Sequence, residues 1–353
     1  MNIQGIMLQA IEEELQKQVA RLDQPRTQEF HEMLTYHMGW TGDGSGPKAT
    51  GKRIRPLLVL LVTAACEVSS PTTTSPSKLQ SQSATSSNWL RAVSGAASVE
   101  LIHNFSLVHD DIQDNSDKRR GRSTVWVKWG APMAINAGDG LFVIANLAIT
   151  DLITHYPAEI IVKTARILND TCLDLTRGQF LDMSYEERDD LTMEDYWPMV
   201  SGKTSALLSA CTQIGAVLGN ADEGQEDAFR LFGHHLGLAF QVQDDILGIW
   251  GEEAITGKSA ASDLVEGKNS LPILYGIGKG GKFSERWKQG PIKVDEVKAV
   301  AALLEDEGGR SFASEIAEKE TDKALSYLKK ANPEGEAGET LLELAHKLLK
   351  RNQ

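Results

Sequence analysis

Two aspartate pairs stand far apart in the chain, and each is followed by basic residues. The first reads Leu107-Val108-His109-Asp110-Asp111-Ile112-Gln113-Asp114. On a helix, a spacing of four puts the Asp110 and Asp114 carboxylates on one face, one turn apart. Like charges at that spacing repel unless a cation lies between them. An all-oxygen donor set favours a hard cation such as magnesium, which combines one or two carboxylates with substrate phosphates. Lys118, Arg119, Arg120 and Arg122 follow around Gly121, and such a run suits the outer oxygens of a diphosphate. Without that run the same aspartates would read as an ordinary solvated helix end. The second pair lies in Phe240-Gln241-Val242-Gln243-Asp244-Asp245-Ile246-Leu247-Gly248. Gln241 falls one turn before Asp244, and Gly248 stands where a third carboxylate would complete the pattern. Lys258, Asp263 and Lys268 follow in a polar stretch containing glycine. Two acidic sites backed by cations suggest helices facing across one cavity, although spacing alone also allows two unrelated helix ends. Upstream, Gly51-Lys52-Arg53-Ile54-Arg55-Pro56 sets three cations ahead of an apolar helix, an arrangement suited to an anion. Neither this segment nor Gly202-Lys203-Thr204 has the glycine spacing of a P-loop.

The elements that carry these residues read as helices. Apolar positions recur at three and four residues over 92–114, 135–152, 160–177, 228–248 and 339–349, and no strand–turn–strand signal stands out. This predicts an all-α fold: one large domain, residues 1–353, of mostly antiparallel packed helices around a central substrate cavity. Breaks are expected at Pro132, at Pro198 with Gly202, and across 248–267, with a loop over 276–291. Residues 69–88 are dominated by Ser, Thr and Pro; with so little to bury they are expected to form a mobile loop.

Bulk properties narrow the function. A formal charge of −13 argues against a nucleic-acid partner. Cys66, Cys172 and Cys211 match no zinc spacing and no disulfide framework, which points to a reducing cytoplasm. Residues 1–18 lack a signal pattern, and the apolar run 57–66 is about half the ~20 residues of a membrane span. Residues 133–152 are longer but carry Asp139 and Asp151, so they are read as a buried core helix. A soluble, cytoplasmic protein without a membrane span is expected.

Taken in order, GKRIRP (51–56), HNFSLVHDDIQDNSDKRRGR (103–122), AINAGD (134–139), RGQFLDM (177–183), GKT (202–204), FQVQDD (240–245) and TGKSAASDLVEGK (256–268) closely resemble the trans-isoprenyl diphosphate synthases, or polyprenyl synthetases. The resemblance covers about residues 52 to 268. It implies condensation of isopentenyl diphosphate with an allylic diphosphate (dimethylallyl, geranyl or farnesyl) by ionisation, condensation and proton loss. It further implies three magnesium ions with substrate bound, and a homodimer. Asp110 and Asp114 would hold metal on the allylic diphosphate, and Asp244 a further ion. Arg119, Lys203, Lys258 and Lys268 would cradle that diphosphate. Lys52, Arg55, His103 and Arg120 would hold isopentenyl diphosphate. Thr204 and Gln241 would lie near the allylic cation, with Asp182 and Asp263 as supports behind the metal and lysines. The departure at Gly248 would weaken third-metal binding without abolishing activity. Phe105 and Ser106, just before the first motif, are associated with short products, geranylgeranyl diphosphate first and farnesyl diphosphate next. A class I terpene cyclase shares DDxxD, but GKRIRP and His103 count against it. A non-catalytic partner subunit is disfavoured by intact Asp110, Asp114, Arg119 and Arg120.

Overall fold

A computed structural model describes residues 2–67, 88–186, 188–251 and 262–349. Apart from Asn88, the loop expected over 69–88 lies outside the described residues, as does Lys258. The chain divides into two compact units. The first comprises Met1–Asn169, Cys211–Asp227 and Asn332–Leu341; the second comprises Asp170–Ala210, Ala228–Ala331 and Leu342–Gln353. The fold is all-α. Strand among the described residues is confined to Lys118–Arg119 paired antiparallel with Arg122–Ser123.

In the first unit, the helix Ile54–Glu67 buries residues 57–62 all round, as an uninterrupted apolar run must. The helix Val93–Gln113 packs against it and against Ala131–Thr150. Ala96, Ala97 and Ser98 are fully buried there, and their small side chains let the backbones come close. The Val93–Gln113 helix ends in a Schellman motif. Asn115 takes φ +49, its N–H donates to the Ile112 carbonyl, and Ser116 N–H donates to the Asp111 carbonyl. Asn tolerates this left-handed position better than most residues. The first acidic motif therefore occupies the last turn and cap of a helix, with Asp114 as the cap.

The helix Ala131–Thr150 departs from the buried core helix expected over 133–152. Ala134, Ala137, Leu141, Ala145 and Ala148 are buried, but Met133, Ile135, Val143 and Leu147 are exposed. Its outward face sets these apolar side chains beside Asn136 and Asp139, so hydropathy alone does not separate the two faces. Ala131–Thr154 is long and apolar enough to cross a membrane by length and composition, with 44% of the apolar window buried.

In the second unit, the helix Met193–Val200 opens with a Thr192/Asp195 capping box and runs into a five-residue π-helical turn, Ser201–Ser205. Pro198, expected to break the chain, sits inside that helix. Tyr196, Val200, Leu238, Val242, Ile246 and Leu271 form its core, fixing one face of the second-unit part of Glu223–Trp250. The loop expected over 276–291 is instead mostly helical: Leu271–Lys279 turns at Gly280 (φ +66) and gives way to Lys282–Trp287. Dense glycines hide these short helices from a periodicity reading, while buried Ile273 and Phe283 anchor them.

Candidate active site

In the first unit the acidic motif is split by orientation. Asp110 is half-buried and Asp114 exposed, whereas Asp111 is 2% exposed. Asp111 Oδ1 accepts from Arg119 Nε at 2.8 Å, and Oδ2 is buried without a hydrogen-bond partner. Burial pushes the Asp111 carboxyl up from its usual range, against the pull of the Arg119 guanidinium. The two outward carboxylates, Asp110 and Asp114, thus lie at a helix C-terminus, where the peptide dipole already contributes negative charge. Oxygen donors one turn apart, repelled by each other and by the dipole, fit a hard divalent cation.

The basic run is delivered by a feature the periodicity reading did not find. Lys118–Arg119 and Arg122–Ser123 form a hairpin whose two-residue loop is Arg120 (φ +52) and Gly121 (φ +76). Positive φ at both positions is the I′ geometry that suits strand twist. Asn-Gly or Asp-Gly would have signalled it; Arg-Gly does not. From this turn Arg120 donates to the Ala49 carbonyl at 2.7 Å. Arg122 does something different: it donates to the carbonyls of Tyr36, Thr41 and Asp43 and lies over the Tyr36 ring. It fastens the hairpin to the preceding loop.

GKRIRP also divides its labour. Arg53 is buried, at φ +48, and pairs with Glu100 (2.9 Å) and Glu12 (3.1 Å), so it is a structural cation. Lys52 is exposed. Arg55 donates from Nη1 to His103 Nε2 at 3.2 Å. A guanidinium can only donate, so the His103 proton sits on Nδ1. His103 is held well below its ordinary pKa by burial first, then by Arg55, Arg120 and Arg119. His37 is pushed down to about 3 by burial, with Arg119, Arg120 and Arg53 adding to it. Its Nε2 and the Arg55 Nε are buried without partners. Arg119, Arg120, His37 and Asp111 line one cleft. Sequence reasoning missed His37, for which no motif gave a signal. Phe105 packs against the Phe142 and His109 rings at 5.2 and 5.0 Å, and Ser106 Oγ donates to the His103 carbonyl at 2.8 Å.

In the second unit, the π-helical turn presents Lys203 and Thr204. A Cβ on Gly178 would meet Lys203 N at 2.1 Å, and one on Gly202 would meet the Asp174 carbonyl oxygen at 2.7 Å. Glycine at both positions allows this close helix crossing. Lys203 pairs with Asp182, which brings together two residues singled out from sequence. Thr204 Oγ1 donates to Gln241 Oε1 at 2.8 Å, and Gln241 Nε2 donates to Asp245 Oδ1 at 2.9 Å. Asp245 is buried and also accepts from Tyr196 Oη (2.8 Å) and Leu271 N–H (3.0 Å). Burial pushes the Asp245 carboxyl up to about 7 despite these donors, and the Tyr196 phenol is held well above its usual value. Asp244 is exposed. Lys268 pairs with Glu266 at 2.8 Å and lies 4.0 Å from Asp263.

Gly248 has a spatial reason. A Cβ there would meet Asp263 Oδ2 at 2.2 Å, so the Asp263 carboxylate occupies the space a side chain at 248 would need.

The likeness to known proteins is extensive. The polyprenyl synthetase family model matches residues 46–304. A (2E,6E)-farnesyl diphosphate synthase of Mycobacterium bovis is 33% identical over 357 aligned positions, covering 98% of this chain and 92% of that protein. A geranylgeranyl diphosphate synthase of Mycobacterium tuberculosis is 36% identical over 305, covering 84% and 80%. The crystal structure of a polyprenyl synthetase from Streptomyces coelicolor A3(2) aligns with a TM-score of 0.81 at 34% identity over 96% of both chains. That of a geranylgeranyl pyrophosphate synthetase from Pyrococcus horikoshii aligns at 0.80 and 29% over 98% of both. With the acidic and basic motifs in this order on an all-α fold, the chain belongs to the polyprenyl synthetase family and is a trans-prenyltransferase.

Proposed function

We propose that the protein condenses isopentenyl diphosphate with an allylic diphosphate, using magnesium, and releases a short trans-prenyl diphosphate, geranylgeranyl diphosphate in the first instance. The observation that carries this reading is the placement of cations at the first acidic motif: Arg119 and Arg120 line one cleft with Asp111, and Arg55 donates to His103. Such mutually repelling cations beside an acidic helix end suit a dianionic ligand bridged by metal. In this reading Asp110 and Asp114 would hold metal on the allylic diphosphate, and Asp244 would hold a further ion. Arg119, Lys203, Lys258 and Lys268 bind that diphosphate, with Asp182 and Asp263 steadying the lysines. Lys52, Arg55, His103 and Arg120 bind isopentenyl diphosphate.

Magnesium, when bound, neutralises charge growing on the departing diphosphate. The chain's own residues do the rest. The guanidinium and ammonium groups draw off the same charge, and the neutral His103 ring donates without adding to the repulsion among the arginines. Thr204 turns its oxygen toward the allylic carbon as it becomes positive, and Gln241 Oε1 holds the Thr204 hydroxyl hydrogen. Apolar side chains such as Phe105 exclude water from the growing chain.

Relatives carry both farnesyl and geranylgeranyl names, so product length rests on Phe105 and Ser106. Small Ser106 leaves room beside Phe105, whose ring is backed by Phe142, and this supports a product stopped early. A homodimer is favoured by the exposed Val143 and Leu147 on Ala131–Thr150, and a cytoplasmic setting by Cys66, Cys172 and Cys211, whose spacing matches no disulfide framework. The test is product analysis with magnesium, isopentenyl diphosphate and each allylic primer in turn. Conversion of farnesyl to geranylgeranyl diphosphate is expected; products ending at farnesyl diphosphate would move the assignment to that synthase, and no condensation with any primer would overturn it.

A further inference from the structure

We infer that Asp245 and Tyr196 are positioning residues that aim Thr204 at the developing cation, and that Asp245 is not a metal ligand although it sits beside Asp244 in the acidic motif. The inference rests on the proposed prenyl transfer. Its basis is a continuous hydrogen-bonded chain inside the second unit: Tyr196 Oη to Asp245 Oδ2, Gln241 Nε2 to Asp245 Oδ1, and Thr204 Oγ1 to Gln241 Oε1. Backbone Leu271 N–H adds a second donor to Oδ2. Both Asp245 oxygens are therefore engaged within the protein, and the residue is 5% exposed.

With the Asp245 carboxylate ionised, the direction of every link is fixed. Asp245 Oδ1 accepts, so the Gln241 amide must turn its NH2 toward it, and its carbonyl oxygen then faces Thr204. That oxygen can only accept, so the Thr204 hydroxyl hydrogen is committed to it. The Thr204 lone pairs are left for a positive centre, and they cannot rotate away without breaking the chain. Fixed dipoles of this kind stabilise developing charge without reorganisation during reaction, and each link polarises the next. The buried Tyr196, packed in the core with Val242 and Ile246, anchors the far end. Gln241 and Asp245 sit one turn apart on a single helix, and Thr204 projects from the π-helical turn. The carboxylate thus serves the π-helical turn as much as its own helix.

The test uses the full chain with Tyr196→Phe, Asp245→Asn, Thr204→Val and the Tyr196→Phe/Thr204→Val pair. Two quantities are read: kcat for condensation, and magnesium-dependent affinity for inorganic pyrophosphate by calorimetry. Tyr196→Phe is expected to lower kcat about tenfold, the scale of one hydrogen bond to a charged group. KM for both diphosphates and the pyrophosphate affinity should stay within about twofold. Asp245→Asn should lower kcat further, again with pyrophosphate affinity kept. In the pair, Tyr196→Phe should add nothing to the loss from Thr204→Val, because both break the same chain. A tenfold fall in pyrophosphate affinity in Asp245→Asn would make Asp245 a metal ligand and overturn the inference. Multiplying losses in the pair would reduce Tyr196 to a packing role and do the same. If Asp245→Asn does not fold, Tyr196→Phe and the pair decide the matter. A wild-type chain that condenses nothing would overturn the proposed function and the inference with it, whereas the other two outcomes strike the inference alone.

Discussion

The two aspartate pairs solve one problem in opposite ways. In each, the first residue is the more open: Asp110 is half-buried and Asp244 exposed, while Asp111 and Asp245 are 2% and 5% exposed. Asp111 is held by a full charge, Arg119, with one oxygen left without a partner. Asp245 is held by neutral donors alone, from Tyr196, Gln241 and Leu271. Under the proposed function, the buried member of the first pair would set a guanidinium for a diphosphate, and that of the second an amide and a hydroxyl for a cation. A DD sequence thus reads as one ligand and one scaffold, and the scaffold's partner tells which charge the neighbourhood serves.

The comparison is broken most severely at the outward members. Asp110→Ala or Asp244→Ala is expected to lower condensation by ~100-fold or more, the scale of losing charge stabilisation in a transition state; a steady-state assay at saturating magnesium checks it. Asp111→Asn should act through Arg119. It removes one partner of a partly buried ion pair, so a loss of about 2–3 kcal/mol in stability is expected, with KM for the allylic diphosphate rising more than kcat falls. Denaturant unfolding and kinetics on the same variant separate the two.

Gly248→Asp completes the second motif on paper. Because a Cβ there meets Asp263 at 2.2 Å, the variant should lose about 1–3 kcal/mol by overpacking, with like-charge repulsion added, and should bind magnesium no better. Thermal unfolding and metal titration read both. The remaining effect is confined to acid pH and concerns His37. Its folded pKa of about 3 lies below the ordinary 6.5, so the fold favours the neutral ring. The stability this confers is present above pH 6.5 and is lost as pH falls from 6.5 toward 3. His37→Gln should flatten the pH dependence of Tm in that window.

Much of this was legible beforehand. The all-α class followed from three- and four-residue periodicity, and the pairing of Lys203 with Asp182 joins two positions drawn from motifs 21 residues apart. What was not legible depends on partners distant in sequence. GKRIRP does not reveal that Arg53 turns inward, because Glu12 and Glu100 lie 41 and 47 residues away. The Arg120-Gly121 turn escaped because arginine at positive φ has no compositional signature and is imposed by the contacts around it. Tyr196 and Gly248 carry no local signal either: one reads as an ordinary core aromatic, and the other as a lost ligand until Asp263 is seen beside it.

Under the proposed function, each pair divides into an outward metal ligand and a buried scaffold. Magnesium-dependent binding of inorganic pyrophosphate, measured by calorimetry on Asp110→Asn, Asp111→Asn, Asp244→Asn and Asp245→Asn, tests it most directly. Magnesium dependence is expected to collapse in the Asp110 and Asp244 variants and to persist in the Asp111 and Asp245 variants. Equal loss across all four would contradict it.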